Sequence, residues 1–179
     1  MAHAALPARK QNPLWRYSLR VYRLPGVESA CLALQDGCGT DTNVLLYCCW
    51  LGEGGRSVDK RSLRATMAAL KRWQTEVIQP VRQVRRALKS APLDLPDDTL
   101  LDLRRRLAAI ELDLEYLEQC RLLEQAQALP VMGRALLPRE AMGQNLRRYL
   151  ELMAIPASAG AWQQVRSLID ACCGAFASR

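Results

Sequence analysis

Histidine is nearly missing from this chain. His3 is the sole one in 179 residues. That excludes chemistries built on a positioned imidazole: the serine triad, the papain-like Cys–His pair and histidine-ligated metals. Phenylalanine is as scarce, with Phe176 alone, and aliphatic residues dominate the hydrophobic half of the composition. The sequence has no Walker A motif, no GxGxxG, no GxSxG and no CxxC, which removes the usual phosphate cradles, the nucleophile elbow and the thioredoxin-type redox pair. β-Branched residues never alternate over a strand's length, so no strand is expected. The longest strongly apolar run, VLLYCCWL at 44–51, is far short of the roughly 20 residues of a membrane span. The opening MAHAALPARKQNP lacks the apolar stretch of a secretory signal. The expectation is a cytoplasmic protein that does not enter a membrane.

Seven cysteines are present, an odd number. Cys48-Cys49 and Cys172-Cys173 are vicinal, and neighbours on a helix point in different directions. The spacings do not suit zinc, and the thiols are expected to be reduced core residues. No metal site is assigned and no cofactor is implied.

What is abundant is Leu, Ala, Arg, Gln and Glu, the helix formers. The expected fold is all-α, with about seven helices. Asn12-Pro13 reads as an N-cap followed by proline at the first helical position, and Leu14, Tyr17, Val21 and Leu24 form one apolar stripe. Val27, Ala30, Cys31 and Leu34 mark a second helix, stopped by the glycines of GCG. Thr40 or Asp41 caps a third, apolar almost all round and so expected at the centre. Ser57 is the expected cap of a long fourth helix over about 59–90, striped by Leu63, Met67, Leu70, Val77, Val81, Val84 and Leu88. Gln74 interrupts that stripe, and Pro80 is expected to kink the helix without shifting its register. A fifth helix, from Asp97 to about Leu129, carries Leu103, Leu107, Ile110, Leu114 and Leu117. The predicted architecture is a compact N-terminal three-helix base, a long antiparallel helical hairpin and two C-terminal helices. Residues 1–12 are expected to be loose and 13–179 to form a single all-α domain.

Charge is segregated. Residues 59–89 carry nine basic and two acidic side chains, whereas 90–128 carry nine acidic and four basic ones. Segments of opposite sign suggest helices that face each other. Glu111, Glu115 and Glu118 share one helical face, expected to be solvated or turned to a partner.

Two groups are candidate sites. Asp36, Asp41 and Asn43 bring two carboxylates and an amide to a helix–helix joint, where they could bind Mg²⁺ or a polar ligand. Donors at the joint satisfied by Asp36, capping by Asp41, and a first-turn role or a buried polar tie for Asn43 account for the same residues without a ligand. Arg82, Arg85, Arg86 and Lys89 lie within two turns and could bind an anion, RNA phosphates or an acidic partner. Pairing with the fifth helix accounts for them equally.

The stretch from Asn12 to Gly52 resembles the signature region of a family of uncharacterised, mostly proteobacterial proteins. The matching residues are Leu14-Trp15, Pro25 to Val27, Ala30 to Leu32, Leu34 to Asp36, Gly39, Asp41, Asn43, Leu45-Leu46, Trp50 and Gly52. Trp73, Val77, Pro80, Arg82, Asn145, Tyr149 and Leu150 extend the likeness over most of the chain. The resemblance implies a small all-α cytosolic protein and carries no activity with it.

The function expected from these features is a non-enzymatic protein-binding or adaptor module that meets its partner through the charged hairpin. One alternative is a small-molecule or metal-dependent activity centred on Asp36, Asp41 and Asn43. Another is RNA or ribosome association through the basic helix 59–90.

Overall fold

The computed structural model describes residues 11–90, 97–130, 135–156 and 159–177. His3 and most of the segment expected to be loose lie outside them, as does the side chain of Phe176. The chain is all-α, and no strand occurs among the described residues. The helices are α1 (Pro13–Val21), α2 (Val27–Cys38), α3 (Thr42–Glu53), α4 (Lys60–Trp73), α5 (Gln79–Ser90), α6 (Asp97–Ala128), α7 (Pro138–Leu152) and α8 (Ala159–Ala177), with a π turn at Gln74–Ile78 joining α4 to α5.

Local chemistry sets most of the helix ends. Asn12 caps α1 by accepting the Trp15 N–H at 3.0 Å, with Pro13 at the first position. Gly39, at φ 66°, ends α2 in the left-handed conformation. Asp41 caps α3 by accepting the Asn43 N–H at 2.8 Å. At α4 the expected cap is wrong. Asp59, immediately before the first helical residue, accepts the Ser62 N–H at 2.9 Å, while Ser57 Oγ donates to Gln144 at 3.0 Å.

Helix α3 is the central rod. Asn43 to Cys49, Leu51 and Gly52 are buried, and α1, α2, α6, α7 and α8 all pack on it. Its contact with α7 is the closest, because Gly52 leaves no side chain between the backbones. A Cβ there would stand 2.5 Å from the Met142 backbone nitrogen. Cys31, Cys48, Cys49 and Cys172 are buried free thiols within this core. Asn145, fully buried on α7, ties the base together. It accepts the Val58 N–H at 2.8 Å and donates to the Arg56 and Cys48 carbonyls at 2.9 and 3.1 Å.

Helices α4 and α5 run antiparallel to α6, as Gln74 bonds to Glu118 while Arg85 bonds to Glu111. The register inside this hairpin differs from the one expected. Proline 80 offers no N–H, and in an unbroken α-helix its ring would press on the carbonyl four residues back. The chain widens into a π turn just before it, where the Gln79 N–H bonds to the Gln74 carbonyl, five residues back. The additional residue rotates the rest of the helix by about 100°. Ile78 is therefore buried and Val84 is 51% exposed. Gln74, Arg82 and Arg85 turn toward α6 instead.

The buried face of α6 differs from expectation for a related reason. Ile110 is 47% exposed, whereas Glu111, Tyr116, Glu118, Gln119, Leu122 and Ala126 are buried. The glutamates expected in solvent face inward because Arg82, Arg85, Asn43 and Gln74 supply hydrogen-bond donors to them there. Trp15 of α1 seats this half of α6, meeting Tyr116 edge-on with ring centroids 5.2 Å apart.

Candidate functional site

The N-terminus of α3 meets the middle of α6 and the π turn in a connected polar cluster. Asn43 is its hub. Its Nδ2 donates to Glu118 Oε2 at 2.6 Å, and its Oδ1 accepts from Gln119 Nε2 at 2.8 Å. Gln119 also donates to Ser18 Oγ on α1, at 3.0 Å. Gln74 Nε2 donates to both Asp41 Oδ2 and Glu118 Oε1, so one amide bridges two carboxyl groups. The backbone N–H of Asp41 in turn donates to Tyr149 Oη at 2.8 Å. Every oxygen of the two carboxyl groups is thereby hydrogen-bonded.

Two such acids side by side cannot both ionise cheaply. Burial, and then the charge of Asp41, push the Glu118 carboxyl up to about 9. Burial raises Asp41 as well, against the bonds it accepts from Asn43. Burial and the neighbouring Asp41 thus favour the protonated form of Glu118.

Above this cluster lies a layer of ion pairs. Arg82 donates through Nε to Glu111 at 2.9 Å, through Nη2 to Glu115 at 2.7 Å and through Nη1 to Gln35 at 3.1 Å. Gln35 Oε1 also accepts from Thr42 Oγ1 at 3.2 Å. Arg85 binds the Glu111 carboxylate through Nε and Nη2. Burial acts to raise Glu111, but its bonds from Arg85 and Arg82 hold it below the ordinary carboxylate range. Glu115 goes the other way, since burial outweighs Arg82.

A cleft of about 390 Å³ opens between α1, α2, the start of α3 and the α5–α6 hairpin. Its polar lining includes Asp41, Asn43, Arg82, Arg85 and Arg86, and its apolar walls include Trp15, Leu19, Leu32 and Leu112. A second cleft, of about 410 Å³, lies on the far side between α4, the π turn and the end of α7. Asp41 lines both clefts.

The two candidate groups thus converge in part. Asp41 and Asn43 stand together, whereas Asp36 lies on the surface and pairs with Arg86 at 3.1 Å. Lys89 is exposed further along α5, outside the lining of either cleft. Among the described residues, no three His, Cys, Asp or Glu side chains are grouped to hold a metal ion. Gln35, Gln74, Glu118, Gln119 and Tyr149 join the cluster without standing out in the sequence as site residues. Two signals point to some of them. Gln74 is the polar gap in an apolar stripe, and Glu111, Glu115 and Glu118 recur on one helical face.

The sequence model of one family, described as a protein of unknown function (DUF2390), matches residues 13–122. The chain belongs to this family. The DUF2390 segment runs from α1 into α6 and contains every residue that lines the first cleft. Asn145, Tyr149 and Leu150 lie beyond the DUF2390 match. Neither the curated proteins nor the solved structures contain a match to the chain.

Proposed function

We propose that the chain is a binding protein that holds a small organic ligand in the cleft between α1, α2 and the α5–α6 hairpin. One observation carries this: Asp41 and Asn43 from one part of the sequence, and Arg82, Arg85 and Arg86 from another, line a single 390 Å³ cleft with apolar walls. Ligand sites have this size and this mixture, a mostly apolar surface with a few convergent polar groups. A thermal-shift screen of small molecules against the wild type and Leu112→Arg tests it. Leu112 is 42% exposed and lines the cleft, so the arginine fills the space with little effect on the core. Compounds that raise the midpoint of the wild type should leave Leu112→Arg unmoved. Equal shifts in both proteins would place binding elsewhere.

An adaptor role for the hairpin has its own support. Val84, Leu101 and Ile110 are 51%, 40% and 47% exposed on α5 and α6. Exposed apolar side chains on the α5–α6 arm are available for contact with a protein. A stoichiometric partner retained by the wild type and released by Val84→Glu with Ile110→Glu is the expected result. RNA association through α5 is the costlier use of the same cations, because Arg82, Arg85 and Arg86 would have to leave Glu111, Glu115 and Asp36.

A further inference from the structure

We infer that the occupant of the first cleft is an amphipathic organic anion: a small soluble molecule with a carboxylate, sulfonate or phosphate head and an apolar body. This rests on the cleft being a binding site, and it goes further by assigning the ligand's chemistry.

The charge balance of the lining comes first. Four guanidinium groups, those of Arg23, Arg82, Arg85 and Arg86, face three carboxyl groups, those of Asp41, Glu111 and Glu115. Guanidinium stays charged at any physiological pH. Asp36, just outside the lining, pairs with Arg86 at 3.1 Å, and Arg82 and Arg85 are held by Glu111 and Glu115, so the cation of the lining with no ion-pair partner among the described residues is Arg23.

The arrangement in depth sharpens this. Glu111 and Arg82 are the most enclosed of the charged pairs, with side chains 9% and 19% exposed, and they neutralise each other at the bottom. Arg85 is 35% exposed and Arg86 58%. Arg23 is exposed and forms no ion pair among the described residues. The cation left without a carboxylate thus stands at the exposed edge of the lining. Arg85 spends its Nε–Nη2 side on Glu111, so the Nη1 donors lie on another part of the guanidinium fork.

The walls ask for an apolar body. Seven large hydrophobic side chains are exposed among the described residues, and three of them, Leu19, Leu32 and Leu112, line this one cleft. Trp15, Tyr22 and Leu46 continue the same surface inward. An inorganic anion would leave those walls wet. A neutral apolar molecule would gain nothing from the cations at the rim, and a cationic one would be repelled by them. A compound that is apolar at one end and anionic at the other satisfies both halves, and 390 Å³ suits a molecule with one or two rings.

Two fluorescent probes with the same ring system test the assignment: 1-anilinonaphthalene-8-sulfonate and its neutral counterpart N-phenyl-1-naphthylamine. Each is titrated into the full chain, with near-UV circular dichroism confirming the native fold. The sulfonate should bind at one saturable site, about ten-fold or more tightly than the neutral amine, the worth of one charge-assisted hydrogen bond. Arg23→Gln and Arg85→Gln should each narrow that gap. Arg23→Gln breaks no ion pair, so it tests the charge even if loss of Arg85 unfolds the chain. Leu112→Glu should abolish binding of both probes. Equal affinity for the two probes in the wild type would overturn the anionic assignment and leave the binding cleft standing. Failure of both probes to bind, or unchanged binding in Leu112→Glu, would overturn the cleft itself.

Discussion

Asn43 and Glu118, 75 residues apart in sequence, are joined by a buried hydrogen bond of 2.6 Å. The amide orients an acid whose protonated form burial favours, and Gln74 links that acid to Asp41, which lines two clefts. Helix α3, the π turn and helix α6 are thereby held in one register. Stability depends on this junction in several measurable ways.

Glu118 makes stability depend on pH in an unusual direction. Its folded value is raised from the ordinary 4.5 to about 9, so the unfolded chain releases this proton first as pH rises. Its stabilising contribution is full below about 4.5, declines as pH climbs through that window, and is gone above about 9. Glu111, whose value is lowered, has the opposite sign and loses its contribution as pH falls. Urea midpoints of the wild type should therefore decrease from pH 5 to pH 9. Glu118→Gln, which imitates the protonated acid, should flatten that decline. Parallel profiles for the two proteins would mean that Glu118 is ionised in the fold.

Asn43→Ala removes the hub, strands Glu118 Oε2 in the interior and takes one of its two acceptors from Gln119 Nε2, which keeps Ser18 Oγ. An orphaned buried group costs about 1–3 kcal/mol. The α3 cap survives, because it uses only the Asn43 backbone N–H. Chemical denaturation should show a loss of about 1–3 kcal/mol, and a change below about 0.5 kcal/mol would show that water replaces the amide.

Gly52→Ala tests the α3–α7 contact. The added Cβ would meet Met142 Cα at 2.7 Å as well as the nitrogen, so backbone must move. Overpacking of this kind costs about 1–3 kcal/mol. Gly143→Ala is the control, since its Cβ meets only Ile169 Cδ1 at 4.0 Å. That change should stabilise α7 by up to about 1 kcal/mol through helix propensity. Thermal melts of the two variants should move in opposite directions.

The π turn can be tested by shortening it. Deleting exposed Thr75 together with Pro80→Ala restores α-helical spacing and turns Arg82 and Arg85 away from Glu111. Far-UV circular dichroism should keep its helical signal. Stability should fall by about 3 kcal/mol, the scale of an ionised group left buried without its partner. Adding Glu111→Gln should recover much of that loss. A shortened protein as stable as the wild type would show that the turn's register does not set the ion pairs.

The helices, several of their ends and the central place of α3 were legible in the sequence, because each has a local cause. Asn12-Pro13 starts α1, Gly39 ends α2, Asp41 caps α3, and the nearly unbroken run VLLYCCWL has nowhere to go but the core. Which faces of α5 and α6 turn inward was decided by tertiary structure. A row of glutamates on a helix reads as solvated until donors arrive from elsewhere, and here Asn43, Gln74, Arg82 and Arg85 come from remote segments. The one-residue offset of the π turn cannot be heard in an apolar periodicity, yet it rotates two arginines into the hairpin. The sequence groups Asp36 with Asp41 as candidate ligands, and only the packing of α6 and the π turn against α3 leaves one at the surface and encloses the other. Helical periodicity is a property of the nearest neighbours along the chain. The burial of a polar group depends on partners that the fold alone supplies.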